Sequence, residues 1–220
     1  MTRIKLSFED LEKIPYYTEN NEVIDTVNRE RTEQILADKY IQPNHRVLEL
    51  GGRYGTVSCI INNKLDDPYA HVVVEPDARV IHSLQTNRNN HNSYFHIFDG
   101  IVSNKKFSLT NTDRHFGGYG STSIEDNTST IVSKTLNQIS QEYHVDFNCL
   151  FADCEGFLEV FLRENEDVVK HFDLVIYEID YPQKCDYAWI KQFLEGNNFE
   201  CLEHIEARIP HSVWKKKSFA

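Results

Sequence analysis

From residue 46 onward the chain alternates between short apolar runs and longer stretches whose apolar positions are spaced for one face of a helix. The runs are 46–50 (RVLEL), 71–75 (HVVVE), 94–98 (YFHIF), 148–152 (NCLFA) and 172–178 (FDLVIYE). Runs this short, apolar on both faces, suit central strands of a parallel sheet covered on each side. The stretches 56–64, 78–89, 156–169 and 186–195 read as helices between and after them. Such alternation predicts an α/β fold with a doubly wound, Rossmann-like, mostly parallel sheet.

Two stretches depart from the rhythm. Residues 101–124 predict a small β insertion: IVSNKKFSLT, the glycine-rich HFGGYGSTS, then Ile124. Residues 199–216 (FECLEHIEARIPHSVWKK) predict two strands turning at Pro210 and closing the sheet antiparallel. At the other end, the first 20 residues lack clear periodicity. Ile24, Val27, Ile35 and Leu36 then fit one face of a helix over 22–40. Residues 1–40 are therefore expected to form a helical extension or lid, and residues 41–220 a single domain.

A chain of 220 residues is about the size of one α/β domain. Its formal charge of −11 narrows the partners. Binding a nucleic-acid backbone requires a basic footprint, and the one basic run is Lys215-Lys216-Lys217. A neutral or cationic small molecule is easier to accommodate, and no nucleic-acid partner is expected. No apolar run approaches the ~18 residues that span a bilayer. The charged N-terminus lacks the apolar core of a signal peptide, so the expectation is a cytoplasmic protein without a membrane partner. Cys59, Cys149, Cys154, Cys185 and Cys201 include no CxxC pair and are expected to be reduced thiols.

Candidate chemistry collects at the ends of the predicted strands. In 47–55 (VLELGGRYG) Glu49 lies two residues before Gly51, with Gly52 and Gly55 in the turn that follows. Glycines let the backbone pass close to a ligand at the carboxyl end of a strand. A dinucleotide fingerprint G-x-G-x-x-G starting at Gly51 needs glycine where Arg53 and Thr56 stand. The pattern that fits is E-x-G-x-x-x-G, and its carboxylate suits a ligand with a cationic amino group, which S-adenosylmethionine has and NAD lacks. Glu75-Pro76 ends the second run, where a carboxylate can accept both ribose hydroxyls. Asp99-Gly100 follows the third, within reach of an adenine amino group.

The ordered series RVLELGGRYG, VVVEPDARVIHSLQTNRNNHN, FDGIVSN, LFADCEGFLEVFL and DLVIYEID resembles the FkbM group of class I methyltransferases over residues 40–205. The resemblance implies S-adenosylmethionine as cofactor, S-adenosylhomocysteine as product, and O-methylation of a sugar, glycan or other small molecule. It implies that Glu49, Gly51 and Gly55 hold the methionine moiety, Glu75 the ribose and Asp99 the adenine, with Asp153, Glu155 and Gly156 beside the transferred methyl group. Two positions depart from the family pattern: Phe151 stands where a lysine is common, and Cys154 where an aliphatic residue is usual.

If the acceptor is a hydroxyl, a base must take its proton. Asp153, Glu178 and Asp180 are candidates at strand ends facing one crevice, and His115 is a candidate on the glycine-rich segment. Glu155 has a second reading as a carboxylate favoured by a helix N-terminus. No metal is expected; a divalent cation, if used, would fall to Asp153, Glu178 and Asp180. Two other readings stay open. One is a nicotinamide oxidoreductase, opposed by Arg53 and Thr56; the other is a non-catalytic binding or scaffold protein, which Phe151 keeps open.

Overall fold

The computed structural model describes residues 5–26, 29–110 and 120–218. Ahead of the sheet lie α1 (Phe8–Leu11) and α2 (Arg31–Tyr40). The first half of the sheet is β1 (Val47–Leu50), β2 (His71–Glu75) and β3 (His96–Asp99), with α3 (Ser58–Lys64) and α4 (Ile81–Asn90) as crossovers. An insertion follows: β4 (Ile101–Val102) pairs in parallel with β7 (Ser133–Lys134), and β5 (Phe107–Thr110) antiparallel with β6 (Thr122–Glu125). After α5 (Leu136–Tyr143) come β8 (Cys149–Ala152), α6 (Leu158–Glu164), α7 (Glu166–Val169), β9 (Leu174–Glu178), α8 (Tyr187–Gly196), β10 (Phe199–Ile205) and β11 (His211–Lys216).

Among the described residues, seven strands share one sheet in the order β10-β11-β9-β8-β1-β2-β3. β1 pairs in parallel with β2 on one side and β8 on the other, Val47 standing opposite both His71 and Cys149. β11 enters between β9 and β10 and runs antiparallel to both, with His211 opposite Glu178. From β1 the chain builds outward first to β2 and β3, then returns to build outward through β8 and β9. The order therefore reverses between β1 and β8. In open α/β sheets the crevice beyond the carboxyl ends of the strands at such a reversal is where ligands bind.

Burial explains why the strand runs are continuously apolar. Leu48, Leu50, Val72, Val74, Leu150, Ala152 and Val175 project to the layer containing α5, α6 and α8. The intervening Val47, Cys149, Phe151, Leu174, Ile176 and Val213 project to the layer of α2 and α3. Each fully buried aliphatic side chain contributes roughly 1.5–3 kcal/mol, so both faces of the period-2 pattern hold the sheet in register.

The elements depart from the sequence reading at several places. The helix expected over 22–40 begins at Arg31, after Glu30 in a left-handed conformation. Ile24 is buried beside Tyr16, Tyr54 and Leu84 in extended chain, and Val23 bridges Tyr17; Val27 lies outside the described residues. The helix expected over 156–169 starts at Leu158 and breaks at Asn165, whose amide donates to the Phe161 carbonyl. The insertion reaches on to Lys134, and α5 was not anticipated. That helix opens with a capping box between Thr135 and Gln138 and buries Leu136 and Ile139. All five cysteines are free thiols, and among the described residues no helix is long and apolar enough to cross a membrane.

Candidate active site

The crevice beyond β1, β2 and β8 is walled by Glu49, Gly51, Gly52, Arg53, Glu75, Pro76, Asp77, Phe151, Asp153 and Glu155. Glu30 and Val57 add to it, as do Leu109, Gly120 and Ser121 from the β5–β6 insertion. It opens to solvent, and about 670 Å³ of space, bulk solvent included, lies within its mouth and walls.

Its floor is the turn after β1. Gly51 has φ +90°, and a Cβ there would lie 1.7 Å from the Asp153 carbonyl oxygen. A Cβ on Gly52 would meet Val73 Cγ1 at 2.1 Å, and one on Gly55, at φ +79°, Leu84 Cδ1 at 2.8 Å. The glycines are demanded by the protein's own packing, above all by the crossing of the β1 and β8 loops. These positions need glycine for packing within the protein, a different physical reason from clearance for a ligand. Arg53, at φ +38°, completes the turn and donates its N–H to Glu75 Oε2 at 2.7 Å.

Glu49 is almost fully buried. Its Oε1 accepts from Ser58 Oγ and its Oε2 pairs with His71 Nε2, each at 2.8 Å. Glu75 is also buried and accepts the Arg53 N–H on one oxygen and the Asp77 N–H, at 2.8 Å, on the other. A carboxylate offers about four lone-pair sites, so one per oxygen remains. Burial raises the Glu75 carboxyl to about 7 against these two hydrogen bonds. Asp77 faces the same burial, but its bidentate pair with Arg79 and the charge of Arg53 hold it below its ordinary value. Asp99 is exposed at the end of β3, and neither it nor Gly100 lines the crevice among the described residues. Gly100 instead packs its backbone against the Val132 carbonyl and the Phe98 ring.

The opposite wall is acidic, formed by Asp153 and Glu155 with Asp180 behind them. Asp153, Glu155 and Asp180 each bring one carboxylate oxygen within 4.8 Å of the others. Lost hydration, followed by the neighbouring Glu178, pushes Asp153 up strongly; burial followed by Asp180 and Glu178 pushes Glu155 to about 7. Burial also pushes Asp180 to about 6, although Tyr187 O–H and Gly156 N–H both donate to its Oδ1. Glu155 sits at φ +53°, three residues ahead of α6, and accepts the Gly120 N–H at 2.8 Å. It therefore faces the crevice and the insertion.

Of the three carboxylates that sequence groups together, Asp153 and Asp180 meet, with Glu155 as the third member. Glu178 touches Asp153 but clusters with Glu33 and His211, whose Nε2 contacts Glu33 Oε1 at 2.7 Å. His115 lies outside the described residues. Phe151 is buried at the base of the crevice, and Cys154 is half-buried beside the acidic loop. Sequence reasoning missed Arg53 and Asp77 as site residues. Both flank positions it had singled out, one inside the glycine turn and one next to Glu75-Pro76. Glu30, Glu33 and His211 carry no local signal, since tertiary folding alone brings them in.

No family model matches the sequence, and no curated protein matches it either. Solved structures do match in shape. A ribosomal protein L11 methylase from Lactobacillus delbrueckii subsp. bulgaricus superposes with a TM-score of 0.52 at 11% identity, over 86% of this chain and 80% of that one. A precorrin-6y C5,15-methyltransferase from Geobacter metallireducens gives 0.52 at 10% identity, over 88% and 92%. A protein of Pyrococcus horikoshii assigned as an RNA methyltransferase gives 0.53 at 13% identity, over 95% and 94%. The fold is that of the class I methyltransferases. At these identities the likeness is one of architecture, and in this methyltransferase fold the acidic crevice occupies the reversal point of the sheet.

Proposed function

We propose that the protein transfers a methyl group from S-adenosylmethionine to a hydroxyl of a small molecule, with a sugar or glycan as the leading acceptor class. The observation that carries this reading is the carboxylate-walled crevice at the reversal point of a methyltransferase-fold sheet.

The residues fit the cofactor. Glu75 retains one acceptor site per oxygen for a pair of ribose hydroxyls, and its two backbone donors fix its orientation. The cofactor's ammonium and sulfonium charges suit a wall built from Glu49, Asp153 and Glu155. When bound, it supplies a methyl group already activated on a sulfonium, so the protein's main task is to align the acceptor. Glu155, whose carboxyl is raised to about 7, can hold or take a proton near neutrality, as a general base for a hydroxyl must. Asp153, pushed up strongly by lost hydration and by the neighbouring Glu178, stands next to it.

The acceptor class follows from charge and from the FkbM-like order of motifs. A formal charge of −11 and an acidic crevice wall oppose a phosphate backbone, although the L. delbrueckii and P. horikoshii neighbours carry ribosome- and RNA-related names. Calorimetric titration tests the cofactor reading. S-adenosylmethionine and S-adenosylhomocysteine should bind with micromolar affinity and NAD should not. Binding of NAD alone would overturn it in favour of a nicotinamide enzyme, and binding of neither in favour of a scaffold.

A further inference from the structure

Resting on the sugar acceptor of that reading and deepening it, we propose that a cleft at the far end of the sheet binds uncharged sugar units of a polymeric glycan, with Tyr69 and Tyr94 as its stacking platform.

The cleft lies where α4 ends and β3 begins, beside the chain that enters β2. The Tyr69 and Tyr94 rings are 54% and 41% exposed, and their centroids lie 5.8 Å apart at an angle of 55°. His96 extends the aromatic surface, 6.0 Å from Tyr69. Apolar side chains exposed singly are ordinary on a protein surface. Adjoining exposed rings are less so, and these form a corner that accepts a flat apolar face while their hydroxyls stay wet.

Hydrogen-bond donors stand around the rings. Asn92 Oδ1 accepts the Tyr94 O–H at 2.7 Å, and Asn89 Oδ1 accepts from the Arg88 guanidinium at 3.4 Å. With their oxygens engaged, both exposed amides offer NH₂ groups to a ligand. Ser93 lines the cleft too. It is 4% exposed, and its hydroxyl has no hydrogen-bond partner among the described residues, which is rare for a buried polar atom.

Charge decides the kind of ligand. Among the described residues no carboxylate lines the cleft. Its cation, Arg88, braces the wall by donating to the Phe95 carbonyl at 3.0 Å and lying over the Phe95 ring. Burial, then the charge of Arg88, holds the His96 imidazole below its ordinary value. The negative end of the α4 dipole and the chain's formal charge of −11 both oppose a phosphate. A ligand with flat apolar faces, a rim of oxygen acceptors and no charge meets all of these demands, and a pyranose is such a ligand.

This cleft sits at the amino ends of β2 and β3, whereas the reaction crevice lies beyond the carboxyl ends of the strands. The five residues of β2 alone separate them by about 16 Å, so one sugar unit cannot occupy both. A glycan chain held here would keep its other hydroxyls near the crevice at a raised effective concentration.

Cellohexaose and chitohexaose serve as neutral probes and oligothymidylate as an anionic one. Each is titrated calorimetrically into the intact protein, with S-adenosylhomocysteine titrated into the same samples. Saturable binding of at least one neutral hexasaccharide is expected. Tyr69→Ala and Tyr94→Ala should each weaken it by about tenfold or more, the scale of a lost ring contact. Tyr69→Phe keeps the ring and should stay within about twofold. Cofactor-product binding should be the same in all three variants as in the parent. Absence of saturable binding of either sugar overturns the proposal, and so does sugar binding that both alanine variants retain in full. Oligothymidylate bound through these rings in place of sugar assigns the cleft to nucleic acid and overturns it as well. Sugar binding without product binding supports the cleft and sinks the cofactor reading; product binding without sugar binding sinks the cleft alone.

Discussion

Replacing Glu75 by glutamine separates the two tasks assigned to that side chain. In the parent protein each carboxylate oxygen accepts one backbone N–H, from Arg53 and from Asp77, and keeps one lone pair facing the crevice. Glutamine has a single acceptor oxygen. Whichever way the amide turns, its NH₂ faces an N–H donor, and one buried backbone donor loses its partner. Stranding that donor costs about 1–3 kcal/mol in every ligand state, and it shows as a lower melting temperature without ligand. The second loss appears only on binding: one ribose hydroxyl no longer finds a charged acceptor, worth about 1.5–3 kcal/mol, or roughly a 10- to 150-fold weaker Kd. Calorimetry with S-adenosylhomocysteine at mildly alkaline pH, where the parent carboxyl is ionised, reads the second loss; thermal unfolding reads the first. A variant that melts lower yet binds with undiminished affinity would refute the ribose assignment and leave Glu75 as a brace for the turn.

Gly51→Ala should destabilise the protein whether or not cofactor is present, because its Cβ collides with the Asp153 carbonyl and φ is +90°; an unchanged unfolding midpoint in denaturant would show that the loop crossing is misread. The raised carboxyls set a pH dependence. Glu75 and Glu155 titrate near 7 in the folded chain against an ordinary 4.5, and Asp180 near 6 against 3.8, so the folded state binds more protons in between. Their contribution to stability is complete below the ordinary values and is lost as pH rises through the folded ones. Melting temperature followed from pH 4.5 to 7 should therefore show these groups pulling downward, and changing Glu155 to glutamine should flatten the decline; a decline of the same slope in that variant would contradict the assignment.

The sheet was legible in the sequence because its strands are buried on both faces. Val72, Val73 and Val74 are each at most 4% exposed, and no polar position interrupts them. Glu75 was legible because it ends such a run. What escaped lacked a local signature. Helix α5 has only Leu136 and Ile139 to bury, and its strongest sign is a capping box in polar chain. The N-terminal segment reads as helix through Ile24, yet that side chain is claimed by a cluster with Tyr16 and Tyr54. The grouping of Glu178 with Asp180 failed on strand register: Glu178 stands opposite His211 on β11, which draws it to Glu33, while Asp180 has passed the strand end and turns to Glu155. Periodicity reports which face a residue occupies and carries no information about which distant strand will lie beside it.

The insertion of β11 between β9 and β10 sets an order on assembly. Among the described residues β10 has β11 as its sole neighbour in the sheet, and the outer edge of β9 is covered by that same strand. Until the last strand is made, β9 therefore presents an open, apolar edge, and β10 has nothing to pair with. A ribosome delivers the chain from the other end, so the half of the sheet around β1 and β2 can form early, while the half that carries Glu178 must wait. A chain cut short before β11 would leave β9 as a sticky strand exposed to its neighbours.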